Sequence, residues 1–129
     1  MRKEAKQLIE QSQYELKVAR DNLPIGNYAT VAFNCQQAVE KLLKAVFIIK
    51  KKEEAPKTHS LRELLFSLSI KDEKITKKCL RLSPHYFQAR YPDAVDEVPF
   101  RLYTKEIAED ILANTKEIFD YFSGETDEE

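Results

Sequence analysis

Residues 28–50 read Tyr28-Ala29-Thr30-Val31-Ala32-Phe33-Asn34-Cys35-Gln36-Gln37-Ala38-Val39-Glu40-Lys41-Leu42-Leu43-Lys44-Ala45-Val46-Phe47-Ile48-Ile49-Lys50. Neither Gly nor Pro interrupts them, so an unbroken helix is predicted over the whole stretch. At 100° per residue, Val31, Ala32, Cys35, Ala38, Val39, Leu42, Val46 and Ile49 share one face. The opposite face carries Phe33, Gln37, Glu40, Lys41 and Lys44. Of these, Gln37, Glu40, Lys41 and Lys44 follow the i, i+3, i+4, i+7 rule and form one polar line.

Outward from this helix, the same reading yields four more. Residues 2–23 place Ala5, Leu8, Ile9, Ser12, Leu16, Ala19 and Leu23 at steps of three and four, and Pro24-Ile25-Gly26-Asn27 then turns the chain. Residues 50–57 form a polar connector whose lysine run reads as a solvated loop. A third helix begins near Ser60, where Ser60-Leu61-Arg62-Glu63 fits a capping box. A fourth spans residues 72–82, with Ile75, Cys79 and Leu82 inward and Ser83-Pro84 at its end. Residues 85–101 break the periodicity and predict a long irregular loop, a length that is uncommon unless it serves a function. The fifth helix covers residues 104–122, with Thr104 as N-cap. Its buried stripe is Ile107, Ile111, Leu112, Thr115, Ile118, Phe119 and Phe122, and an acidic tail frays from about Ser123. The expected fold is all-α, an up-and-down bundle of four to five helices in a single domain over residues 1–129.

Composition narrows the function. The chain has 129 residues, of which 33% are charged and 2 are Gly, a helix-favouring balance. With 21 Lys plus Arg against 22 Asp plus Glu, the net charge is −1, which argues against gripping long nucleic acid by bulk charge. Cys35 and Cys79 are far apart with no CxxC pair, so a structural metal site is not expected, although spacing alone leaves a disulfide open. The charged start of the chain leads into no apolar core of a signal peptide, and no apolar run is long enough for a bilayer, so a cytoplasmic location is expected. No glycine-rich phosphate loop, HExxH or GxSxG occurs, which excludes the common nucleotide-cofactor, zinc-protease and serine-hydrolase designs.

Three clusters hold chemistry. By spacing, the line Gln37, Glu40, Lys41, Lys44 is either a solvent face with a Glu40–Lys44 pair or a face for a partner or phosphate. Thr58-His59-Ser60 either caps the next helix or presents His59 as a switchable proton carrier near an anion. In the loop His85-Tyr86-Phe87-Gln88-Ala89-Arg90-Tyr91-Pro92-Asp93, Arg90 either pairs with Asp93 or Glu97, or holds a phosphate beside a stacking tyrosine.

Taken together and in order, these clusters resemble the HEPN family. Gln37-Ala38-Val39-Glu40-Lys41-Leu42-Leu43-Lys44-Ala45 looks like its Q-x2-E-K-x2-K-A helix. Thr58-His59-Ser60-Leu61 looks like its Thr-His-x-Leu helix start, and Arg90-Tyr91-Pro92 like its Arg-Tyr-Pro segment. The resemblance covers nearly the whole chain. It implies a four- or five-helix bundle, usually a homodimer, similar to the helical domain of kanamycin nucleotidyltransferase. It also implies a nucleotide ligand or a minimal nucleotidyltransferase partner, sometimes in a toxin–antitoxin pair, with no cofactor and no metal. Gln37, Glu40, Lys41 and Lys44 would form one wall of the site, and His59, Arg90 and Tyr91 would approach from the loop side. Other members are metal-independent ribonucleases that carry Arg, four to six residues, then His. Here Arg81 and His85 have only three residues between them, with Pro84 breaking the register, so the pair is a minor catalytic candidate and RNA a weaker ligand. A dimerisation adaptor without a small ligand is the third reading.

Overall fold

The computed structural model describes residues 2–92 and 96–127. Helix α1, Lys3–Asn22, and α2, Tyr28–Lys51, form an antiparallel hairpin. The turn between them places Gly26 at φ +82°, a left-handed conformation open to glycine without steric cost. Asn27 closes that turn, its amide group donating to the Asn22 side chain at 2.8 Å and its backbone N–H to the Asn22 carbonyl at 3.1 Å.

Helix α2 lies at the centre. Of its 24 residues, 13 are buried, too many for a two-sided helix, because it is covered from several directions. On one side lies α1, on another α6, Lys105–Thr126. Two short helices, α3 (Leu61–Ser67) and α5 (His85–Gln88), pack on it as well. Helix α4, Glu73–Leu82, bridges α3 and α6. Val31, Ala32, Cys35, Ala38, Val39, Leu42 and Val46 are all buried, as their shared face predicts, while Ile49 is only partly covered. The main core joins them to Leu16 and Ala19 of α1, Leu61 and Leu64 of α3, Cys79 of α4, and Ile118 and Phe122 of α6.

Local signals set the helix boundaries. Ser60 accepts from the Glu63 N–H at 3.2 Å, Asp72 from Ile75 at 3.0 Å, and Thr104 from Ile107 at 3.2 Å, each satisfying an otherwise unpaired first-turn donor. Helix α4 ends at Leu82, before Ser83-Pro84. The freed Ser83 hydroxyl accepts from the Leu61 N–H at 3.1 Å, which ties the end of α4 to the start of α3.

Four expectations need correction. Residues 85–101 are not irregular throughout: they open with α5 and close with a 3-10 turn, Pro99–Leu102. Contacts distant in sequence order this segment, above all the 2.6 Å bond between His85 Nδ1 and the Tyr103 hydroxyl. The C-terminal tail does not fray at Ser123; α6 continues to Thr126, where Glu125 pairs with Lys50 at 2.9 Å. Helix α2 runs past the predicted Lys50 to Lys51, so Lys51 belongs to the helix and not to the connector. Ile107, expected in the buried stripe, is 42% exposed because it rims an open cleft between α6 and α4.

Cys35 and Cys79 are free, buried thiols, and burial pushes their pKa values up to about 11 and about 12. They are core residues and not reactive thiols. No helix among the described residues is long and apolar enough to cross a membrane.

Two outcomes are expected. Leu42→Ala, which empties a site 2% exposed at the middle of α2, lowers unfolding free energy in urea by about 2–5 kcal/mol. His85 is partly buried, and that desolvation lowers its pKa from 6.5. The unfolded chain therefore takes up a proton first, and its contribution to stability is intact above pH 6.5 and declines as pH falls through the lower folded pKa. The fall in stability from pH 7 to about 5 is smaller in His85→Gln, measured by urea titration at each pH.

Candidate functional site

The site starts from a buried charge. Glu40 is 4% exposed, on a helix whose neighbouring side chains are mostly apolar. An isolated carboxylate there would cost several kcal/mol, so it has to be compensated. Three groups supply the compensation. Lys44, one turn on, places Nζ 3.2 Å from Oε2, forming the pair that the i, i+4 spacing predicts. The wholly buried Gln36 donates to Oε1 at 3.4 Å and to the His59 carbonyl at 3.1 Å. His59 places Nδ1 3.0 Å from Oε1.

The polar line of α2 is therefore not a solvent face. Helix α1 and the segment before α3 cover it, and its polar groups are knitted together. Lys41 Nζ lies 3.0 Å from the Glu15 carboxylate of α1 and also donates to Gln37 at 3.1 Å. Gln37 in turn donates to Gln36 at 2.8 Å. Gln37 and Lys41 thus serve the α1–α2 seam, and Gln36, which spacing alone did not single out, joins that seam to Glu40 and His59.

His59 faces outward. Its side chain is 54% exposed and its ring stacks on Tyr86 of α5, with centroids 4.0 Å apart. With Nδ1 against Glu40, the other ring nitrogen is held by no described residue. The cap of α3 belongs to Ser60, while Thr58 accepts from the Ser60 N–H at 3.0 Å, so His59 is not used for capping.

A cleft of about 650 Å³ opens at this point, with Lys57, His59, Arg62, Tyr86 and Phe87 on its lining. No carboxylate lines it, so it is locally basic in a chain of net charge −1. Lys57 and Arg62 escaped the sequence reading, and Phe87 was placed only in the loop cluster, because nothing in spacing brings residues 57–62 beside residues 86–87; only the pairing of α3 with the end of α4 does so.

Arg90 and Tyr91 extend the same surface without lining the cleft. Arg90 lies 4.5 Å above the Phe33 ring, a cation–π contact. Phe33 is 6.0 Å from Tyr86, and Tyr91 is 6.0 Å from Phe87. Aromatic rings thus connect Arg90 and Tyr91 to His59. Glu97, one predicted partner of Arg90, instead lies 3.8 Å from Arg101. The other, Asp93, lies outside the described residues. Arg81 and His85 stand apart, on a second cleft between α4 and α6, where His85 is engaged by Tyr103. Among the described residues no group of three or more His, Cys, Asp or Glu could hold a metal ion.

Comparison with known proteins matches this geometry to a family. The family described as HEPN domain matches residues 5–125. A protein of Methanocaldococcus jannaschii named "Putative toxin MJ1304" is 30% identical, over 92% of this chain and 85% of its own. The crystal structure of TT1696 from Thermus thermophilus superposes with a TM-score of 0.84 at 30% identity, covering 94% of this chain and 97% of that one. That of ST0689, an archaeal HEPN homologue, gives 0.81 at 25% identity, covering 98% and 100%. The match spans the buried Glu40, the His59 cleft and the Arg90 ledge alike, and the chain belongs to the HEPN domain family.

Proposed function

We propose that this chain is a toxin-type HEPN module that recognises a nucleotide, free or presented by a nucleotidyltransferase partner, in the basic, aromatic cleft at His59. The observation that carries this reading is His59 itself: one edge held by a buried carboxylate, one face on Tyr86, and its other ring nitrogen held by no described residue, at a cleft lined by Lys57 and Arg62. Two cations without a carboxylate beside them suit phosphate oxygens, and exposed rings of Phe87 and Tyr91 suit a base. The toxin assignment draws on the Methanocaldococcus relative's name. Homodimerisation, pairing with a minimal nucleotidyltransferase and a cytoplasmic location complete the proposal.

A second reading has a specific observation in its favour. A carboxylate on Nδ1 and a free second nitrogen make His59 a fit general base, able to take the proton of a ribose 2′-hydroxyl. The chain would then cleave RNA without metal, using Glu40 and His59 in place of an Arg-x4-6-His pair.

Calorimetric titration with ATP and with GTP, with and without magnesium, tests the first reading. Saturable binding is expected, weakened about tenfold or more in His59→Ala and in Arg62→Ala. Arg90→Ala shows a smaller loss, since Arg90 borders the cleft and does not line it. Absence of binding at millimolar nucleotide would remove the autonomous nucleotide site. Incubation with RNA tests the second reading: 2′,3′-cyclic phosphate ends that vanish in His59→Ala, and fall on the order of a hundredfold in Glu40→Gln, would establish the base. Intact RNA after incubation with the folded protein would reject it.

A further inference from the structure

A second cavity, of about 340 Å³, lies between α4 and α6 and shares no lining residue with the His59 cleft. Its lining divides by charge. Arg81 stands on the α4 side, while Glu106 and Asp110 stand on α6. Between them runs an apolar strip of Ile111, 8% exposed, and Ile107, 42% exposed. Exposure of an isoleucine at the mouth of a cleft leaves hydrocarbon in water that an occupant would cover.

The charges across this strip do not neutralise each other. Among the described residues, no ion pair holds Arg81 or Glu106, and Asp110 accepts only a marginal 3.5 Å bond from Asn114. Lys78, at the same cleft, shows the contrast: its Nζ is taken up by Glu117 at 2.6 Å and Asn114 at 3.1 Å. A simple anion meeting Arg81 would face two carboxylates on the opposite wall, and a simple cation would face the guanidinium. Electrostatics favours a ligand that carries both charges.

His85 sharpens the anionic end. The hydroxyl of Tyr103, a residue only 7% exposed, has no other acceptor among the described residues and lies 2.6 Å from Nδ1. It therefore donates to that nitrogen, which leaves the proton on Nε2 as a donor for the cleft. Burial holds Tyr103 protonated, with a pKa of about 12, and lowers that of His85, so the imidazole offers an N–H without adding charge.

We propose that this cleft binds a small zwitterion with an aliphatic body, its anionic group at Arg81 and His85, its cationic group at Glu106 and Asp110, and its hydrocarbon on Ile107 and Ile111. An aliphatic α-amino acid carries the two charges side by side, and an ω-amino acid carries them at opposite ends. Both share the required chemistry.

The test is methyl NMR of the full chain, following the isoleucine signals during titration with L-leucine and with 6-aminohexanoate. Hexanoate and hexylamine serve as singly charged controls. One zwitterion is expected to give saturable shifts of Ile107 and Ile111, at an affinity about tenfold or more above either control. Arg81→Gln and Asp110→Asn, each checked for an unchanged fold by circular dichroism, should each weaken that binding roughly fivefold or more. Which zwitterion binds tells whether the charges are recognised side by side or end to end. Equal binding of hexylamine or hexanoate, or no saturation by either zwitterion, would overturn the proposal. So would shifts at Ile107 and Ile111 that track protein concentration without ligand, since a second copy of the chain would then occupy this face.

Discussion

Glu40 is a carboxylate built into the one helix that every layer of the bundle packs against, and most of the molecule's polar organisation follows from keeping it there. A charge at that depth persists only if partners reach it, and they come from two directions. Lys44 comes from the same helix at the next turn, and His59 comes from the chain entering α3. Gln36 fills the space between them and fastens the His59 backbone as well as the carboxylate. The cap of α3, the stacking of Tyr86 on His59 and the closure of Ser83 on Leu61 bring the ends of α3, α4 and α5 to one place. The compensation of one buried charge thereby leaves an imidazole at the surface with a defined edge and a defined face.

Such a site separates local from global charge. The chain as a whole is close to neutral, which argues against binding nucleic acid by bulk charge. Within the His59 cleft only cations and neutral groups are found, and its aromatic rim continues toward Arg90. A cleft of this kind would discriminate by contact and not by long-range field, which is what the proposed nucleotide ligand would require. The second cleft, between α4 and α6, has the opposite design, with unpaired charges of both signs around exposed hydrocarbon. The two clefts share no lining residue, although both draw on α4 and α5.

Helices were legible wherever a long period met a local breaker or cap. Ala5 to Ala19 in α1, Val31 to Val46 in α2, and Ile111 to Phe122 in α6 could be placed because 3.6-residue periodicity is enforced by one-sided burial. Ser60, Asp72 and Thr104 could be read as starts because a side chain three residues away from its N–H donor is a purely local device. The segment from His85 to Arg101 was not legible, since the His85–Tyr103 bond that orders it spans 18 residues. Neither was the continuation of α6 past Ser123, which rests in part on Lys50, far away in the chain.

For the site, sequence by itself determined where the candidate side chains stand along the chain: Glu40 and Lys44 one turn apart on a helix, His59 just before a cap, and Arg90 with aromatics on both sides. Helical spacing and capping are short-range rules, and they are written in neighbouring residues. Only the tertiary structure decided that Glu40 is inside and not on a solvent face, that Gln37 and Lys41 turn to Glu15 of α1, and that Lys57 and Arg62 share a cleft with Tyr86 and Phe87. Those outcomes depend on which helices cover α2 and from which side. Packing of separate elements settles that, and no spacing within a single element encodes it.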